Sequence, residues 1–497
     1  MSARNKDSAE SAASGLASAD RSRSETAGAA SFSSIPGFSQ LSTQALLRFE
    51  AKATRIRVRR GDVLVRQGEM ADELYLVLTG RFYVMLEGKP GMIAEIGPGE
   101  PIGELAFLGG GPRTASVVAA RDSDVLKLTR EAYAEIAQEA PEIVSTILAS
   151  VAKRLAAVTA ASPVLRRRRP RIVALLPIGD AECLPAGFLE RLKHALAPLA
   201  VAIVSPQTLP HGSTEYSAVA AALAATEAEA DLVLLSVDRG DETLASLFLN
   251  HADELLLVAP ASDAGRRADS LSATERTASE LFFKEHRALV LLRDSSATPI
   301  AGTGRWLRGR DVALVHQVAL DRSADIERLA RFLAGSAVGL VLGGGAALGC
   351  AHLGIARALG EAGIPIDFMG GTSVGAAVAA SLAMGALPDD ILDLSTEIFI
   401  RKRALRWLTI PVYSIIDHRR FDAELKRHYA STLIEDLPIN YFAVSANLTQ
   451  NDVYVHRSGL LWEAVRASSA VPGVLPPFIT EGGEVLADGA LVDNVPV

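Results

Sequence analysis

The chain is poor in cysteine, aromatic residues and long apolar runs, and it has no excess of positive charge. Its two cysteines among 497 residues, Cys183 and Cys350, lie far apart with no CxxC or CxxxH around them. That excludes a disulfide framework and a structural zinc site, and points to a reducing, cytoplasmic location. Lys and Arg number 50 against 58 Asp and Glu, a formal charge of −8. No nucleic-acid partner is expected, because phosphate backbones demand a clustered basic surface. The longest apolar stretch, VGAAVAASLAMGAL at 374–387, falls short of the ~20 residues that span a bilayer. It reads as a buried helix rather than an anchor. The first residues, MSARNKDSAESAASGLASADRSRSETAGAASFSS, hold no apolar core for a secretory signal and have the composition of a disordered tail over 1–36.

What is present suffices for about three domains at ~100–200 residues each. The segments RIRVRRGDVLVRQG and ELYLVLTGRFYVML, and the Gly-rich stretch after them, alternate as short strands between glycine turns. This is the pattern of a small β-barrel or jelly roll, and a helical stretch over 131–158 closes the domain. The expected boundaries are 37–160, followed at 161–171 by a basic linker with RRRRPR at 166–171. The linker reads as a solvated connection or as a contact for anionic lipid head groups. From 172 to 335 strand-like runs such as RIVALLP and DLVLLSVD alternate with helical ones, the rhythm of an α/β domain. None of its strand ends carries GxxxxGK[ST], and Gly302-Thr303-Gly304 reads as a turn, so this domain is expected to be a spacer.

The last segment, 336–497, carries the chemistry. VGLVLGGGAALGCAHLG is a strand, a Gly-rich turn over 343–349 and a helix starting near Cys350. Such a turn aims backbone N–H groups at something anionic. A P-loop fails for want of Lys-Ser/Thr, and a dinucleotide turn is weak because Ala346 replaces the middle glycine, which leaves an oxyanion hole as the third reading. The next strand end decides: Gly371-Thr372-Ser373-Val374-Gly375 is a G-x-S-x-G nucleophile elbow between strand and helix. A serine needs a base within hydrogen-bond reach. Of the later histidines, none sits in a Gly-rich strand-end loop, and His456 reads as an exposed strand-end residue. Asp488, after an apolar run and before Gly489-Ala490, is better placed.

GGGAALGCAHLG, GTSVG and DGA, in that order, resemble the three blocks of the patatin-like phospholipases. YSIIDHRRFD, SANLTQNDVYVHRSGLLWEAVRASSAVPGVLPP and DGALVDNVPV are similar to the neuropathy-target-esterase-like branch. The resemblance implies an α/β hydrolase domain with Ser373 as nucleophile and Asp488 as base. Backbone N–H groups of Gly344, Gly345 and Ala346 would form the oxyanion hole, and an acyl-enzyme on Ser373 would be hydrolysed by water. Leu348 stands where the family usually places Arg or Lys, and Asp493 is the less favoured alternative base. Family members continue past N-x-P, so the domain is expected to lack its C-terminal end.

In the first domain GEPIGELA at 99–106 and PRTA at 112–115 resemble the phosphate-binding cassette of cyclic-nucleotide-binding domains. The resemblance implies that Arg113 pairs the cyclic phosphate, Glu104 accepts the ribose hydroxyl, Gly103 cradles phosphate, and Thr114 contacts phosphate or a purine edge. The chain is thus expected to be a serine esterase acting on phospholipid or lysophospholipid at a membrane surface, as a peripheral protein. It would need no catalytic cofactor and take a cyclic nucleotide, cAMP or cGMP, as regulator. The alternative is a non-catalytic cyclic-nucleotide-binding module on a decayed hydrolase.

Overall fold

The computed structural model describes residues 42–88, 91–160, 169–181, 183–209, 216–261 and 270–497. The tail expected over 1–36 and residues 161–168 of the basic linker lie outside them. Two compact units emerge, one from residues up to 174 with 204–235 and 241–254, the other from 175–203, 236–240 and 255–497.

Residues 54–129 of the first unit form eight strands: β1 (Thr54–Val58), β2 (Val63–Val65), β3 (Glu73–Thr79), β4 (Phe82–Met85), β5 (Met92–Ile96), β6 (Pro101–Ile102), β7 (Ser116–Ala119) and β8 (Ser123–Thr129). They form two antiparallel four-stranded sheets, ordered β1-β8-β3-β6 and β2-β7-β4-β5. The period-2 pattern of β3 explains why it is buried on both faces. Tyr75 and Val77 point into the core between the sheets with Phe82, Ile102 and Val125. Leu74, Leu76 and Leu78 point the other way, against Phe49, Phe107, Ile136 and Ile143 of the surrounding helices. The expected helical stretch is two helices, Arg130–Glu139 and Pro141–Ala160. Pro141 has no N–H to continue the first and is well suited to start the second.

Between 172 and 334 strands alternate with helices, among them β9 (Ile172–Pro177), β10 (Val201–Val204), β11 (Leu232–Ser236), β12 (Glu254–Pro260), β13 (Arg287–Arg293) and β14 (Leu314–Ala319). β12, β13 and β14 are parallel neighbours, with Leu255 opposite Arg287 and Ala288 opposite Leu314. The Gly302–Gly304 turn differs from expectation: Gly302 caps a short helix, Thr303–Leu307. Its Trp306 is 1% exposed and its Thr303 N–H donates to Asp436 at 3.0 Å, so burial and a cap make a helix where local sequence signals none.

The last six strands are β15 (Gly339–Leu342), β16 (Phe368–Thr372), β17 (Asn440–Asn447), β18 (Asp452–His456), β19 (Phe478–Ile479) and β20 (Val485–Asp488). The sheet runs β15-β16-β17-β20-β19, with β18 also on β17. β15, β16 and β17 are parallel; β18 and β20 run antiparallel to β17. The helix Val374–Ala383 is buried along nearly its whole length, as expected for an Ala-rich run too short to span a bilayer. No helix among the described residues is long and apolar enough to cross a membrane.

Candidate active site and nucleotide cassette

The register of β17 brings the two key side chains together. Along one edge it pairs first with β16, up to Val444 opposite Thr372, and then with β20, from Ser445 opposite Asp488. Consecutive residues of one strand thus hold the C-terminal ends of β16 and β20 side by side. Ser373 follows β16 directly, with φ 55° and ψ −125°, a conformation costly for a residue with a side chain. Its hydroxyl donates to Asp488 Oδ2 at 2.6 Å.

The flanking glycines are sterically required. A Cβ on Gly375 would lie 2.1 Å from the Leu342 carbonyl oxygen, and one on Gly371 would lie 2.6 Å from the same atom. Both contacts are far inside van der Waals range and involve backbone, which cannot swing away. The elbow is also pinned from below. Ser373 N–H donates to Ser468 Oγ at 2.9 Å, and Ser468 donates to the Val444 carbonyl at 2.5 Å.

Asp488 is 3% exposed. Burial pushes its carboxyl above the ordinary carboxylate range, against the opposing hydrogen bonds from the Ser373 hydroxyl and Ala490 N–H. Its Oδ1 accepts from Ala490 N–H at 2.9 Å, which holds the carboxyl group with Oδ2 toward the serine. A buried carboxylate of raised proton affinity is a better base toward a hydroxyl than an exposed one.

The Gly-rich turn lies over this pair: a Cβ on Gly344 would approach the Ser373 Cβ to 3.1 Å. Gly344 N–H donates to Asn494 Oδ1 at 3.0 Å. It can serve a developing oxyanion only when that contact opens. Gly345 and Ala346 lead into a short 3₁₀ turn, Ala346–Gly349, and Ala346 has φ 48°. His352 Nε2 donates to the Gly343 carbonyl at 2.9 Å and so ties the helix Cys350–Glu361 to the turn. Leu348 is 81% exposed. Asp493 presents its backbone carbonyl to the Thr372 hydroxyl at 3.1 Å.

His456 is not the exposed residue the sequence suggested. It is half-buried, its Nε2 lies 2.8 Å from the Ser445 hydroxyl, and burial pushes its pKa down to about 4, so the ring is neutral. Its position at a strand end indicated exposure; the pairing with β17 supplies a polar partner that this position does not reveal. Ser468, Asn494 and His352 were not singled out from sequence. Ser468 and Asn494 act on residues 95 and 150 positions away, a separation for which short motifs carry no signal.

In the first unit Gly103 has φ 80° and opens the helix Glu104–Gly109. A side chain there would be strained and would strike the Arg113 guanidinium. Arg113 is 6% exposed and donates to the carbonyls of Gly103 at 2.9 Å and Glu73 at 2.6 Å. Glu104 is 4% exposed, and Thr114 is exposed. Phe107 of the same helix packs edge-on against Tyr133, with Arg130 4.6 Å above its ring.

Fold and site define the class. Residues 340–497 match the patatin-like phospholipase family and residues 55–140 the cyclic nucleotide-binding domain, so this is a carboxylic ester hydrolase joined to a nucleotide-binding module. The chain is 31% identical over 469 residues to an uncharacterized NTE family protein of Mycobacterium tuberculosis, covering 93% of this chain and 76% of that one. It is 28% identical to the human patatin-like phospholipase domain-containing protein 6, covering 88% of this chain and 36% of that one. To the neuropathy target esterase sws of Drosophila erecta it is 29% identical, over 88% of this chain and 33% of that protein. The chain belongs to the NTE family.

Proposed function

We propose that this protein hydrolyses acyl esters of phospholipids or lysophospholipids through a Ser373–Asp488 dyad. The observation that carries the reading is the 2.6 Å hydrogen bond from the Ser373 hydroxyl to Asp488 Oδ2, made at a strained strand-to-helix elbow. Asp488 takes the hydroxyl proton as Oγ attacks the ester carbonyl, and the N–H groups of the Gly344–Ala346 turn stabilise the oxyanion. The C–O bond to the alcohol breaks, the alcohol leaves with the proton held on Asp488, and Ser373 carries the acyl group. Asp488 then deprotonates water, which attacks the acyl-enzyme and regenerates the serine. One backbone donor to an oxyanion is worth about 10²–10³ in rate, so Gly345 and Ala346 matter whether or not Gly344 is released from Asn494.

The first unit supplies the regulatory reading. Arg113 would exchange its carbonyl partners for the phosphate of cAMP or cGMP, with Gly103 closing the cradle, Glu104 beside the ribose and Thr114 at the rim. The functional division proposed is a nucleotide domain over 37–160, a spacer over 172–335 and a hydrolase over 336–497, although by compactness residues 172–335 are shared between the two units. Work at a membrane surface follows from the substrate class.

Purified wild type should hydrolyse a short-chain p-nitrophenyl ester, and Ser373→Ala should lose at least about 10³ of that rate. Equal rates from both proteins would leave a binding module on an inert hydrolase fold.

A further inference from the structure

A hairpin at 407–416 is apolar, exposed and edged by cations, and the dyad chemistry makes no use of it. Trp407, Leu408, Ile410, Val412, Tyr413 and Ile415 are all exposed, Ile410 to 81% and Tyr413 to 78%. Single exposed apolar side chains are ordinary, but a contiguous group on one short loop marks an interaction surface. The loop is a defined structure. Asp417 N–H donates to the Trp407 carbonyl at 2.7 Å, and Thr409 N–H donates to the Ile415 carbonyl at 2.9 Å. The N–H groups of Ile415 and Ile416 donate to the carbonyls of Gly473 and Val474 at 2.8 and 3.1 Å. This fastens the hairpin to a segment whose Val471 and Val474 are also exposed and which directly follows the Ser468 that pins the nucleophile.

Charge selects the occupant. Arg403 and Arg406 precede the hairpin and Arg420 follows it, all exposed, in a chain of net charge −8, while the neighbouring Arg401, Lys402 and Arg419 pair with Glu397, Glu424 and Asp417. Arg420 lies 3.7 Å over the ring of Trp407, which places one cation against the apolar base of the hairpin. A second copy of the chain, docked through the same face about a two-fold axis, would set these cations against each other. A bilayer with anionic head groups meets both halves, with an apolar interior for the tip and negative charge for the rim.

We propose that the 407–416 hairpin inserts at the head-group boundary of a bilayer containing anionic phospholipid, holding the Ser373 site beside its lipid. The proposal rests on the lipid-ester reading. Its test is flotation of the full chain with vesicles of phosphatidylcholine alone or mixed with phosphatidylserine. Wild type should float with the anionic vesicles, less so as salt is raised, and its tryptophan emission should shift to the blue unless Trp407→Phe is present. The triple change Leu408→Ser, Ile410→Ser, Val412→Ser should cut anionic-vesicle binding about tenfold or more. Thermal midpoint and hydrolysis of a dissolved short-chain ester serve as the fold controls. Arg403→Gln with Arg406→Gln should remove the preference for anionic vesicles. Wild-type protein that stays unbound, or a triple variant that binds as well as wild type, overturns the proposal. So does a triple variant that changes only the sedimenting mass, which would make the face an interface between copies. Absence of any ester hydrolysis would instead sink the lipid-ester reading while the flotation result still decides the hairpin.

Discussion

At Ser373 the fold holds a serine at φ 55°, a backbone conformation that costs about 1–3 kcal/mol; Gly371 and Gly375 leave room for it, and a hydrogen bond to Ser468 holds its N–H. Asp488 is the titrating partner, and its burial raises its pKa. A base must be ionised to accept a proton, so kcat/KM should fall as pH drops through that raised value. The acid limb in a pH profile should therefore lie above the ordinary carboxylate value of about 4, and a profile flat to pH 4 would contradict the assignment. His456, neutral with a pKa of about 4, should leave that limb in place when changed to Gln. Both members of the pair were legible from short motifs because G-x-S-x-G and D-G-A each encode a local backbone geometry. Ser468 and Asn494 were not, because their roles arise from contacts across 95 and 150 residues of chain.

Among the elements, the turn between β7 and β8, the helix Tyr216–Glu229 and the residue before β12 meet in a buried ionic cluster of the first unit. Arg121 is 3% exposed and its guanidinium lies 3.0 Å from Asp253 and 2.5 Å from Glu227 on the helix Tyr216–Glu229. Asp253 also accepts the N–H groups of Arg171 and Ile172 at 2.7 and 3.0 Å, where β9 begins. Replacing Asp253 by Ala leaves a buried guanidinium short of an anion and two N–H groups without an acceptor. The expected loss is about 3–5 kcal/mol, read as a lower urea midpoint with the slope of the transition unchanged. The strands and helices themselves follow from apolar runs between glycine turns and from period-3.6 patterns, as β3 and the helix Arg130–Glu139 illustrate. The short helix at Thr303–Leu307 does not, since the burial of Trp306 rather than propensity forms it.

For the whole molecule, a nucleotide module and an ester hydrolase on one chain invite regulation, and the first requirement is that the module binds. Calorimetry should show heat with cAMP or cGMP that Arg113→Gln removes, the loss of a charge-assisted phosphate contact costing at least about tenfold in affinity. Heat from neither ligand would reduce the module to a scaffold. Where a nucleotide also alters substrate affinity, substrate must alter nucleotide affinity by the same factor. Everything downstream depends on the serine being activated. The direct measurement is intact-protein and peptide mass spectrometry after treatment with a fluorophosphonate ester, in which the serine oxygen displaces fluoride at phosphorus. The account predicts a single adduct on the peptide containing Ser373, absent in Ser373→Ala and formed far more slowly in Asp488→Asn. An adduct on a different residue, or labelling of Ser373 at the same rate without Asp488, would contradict it.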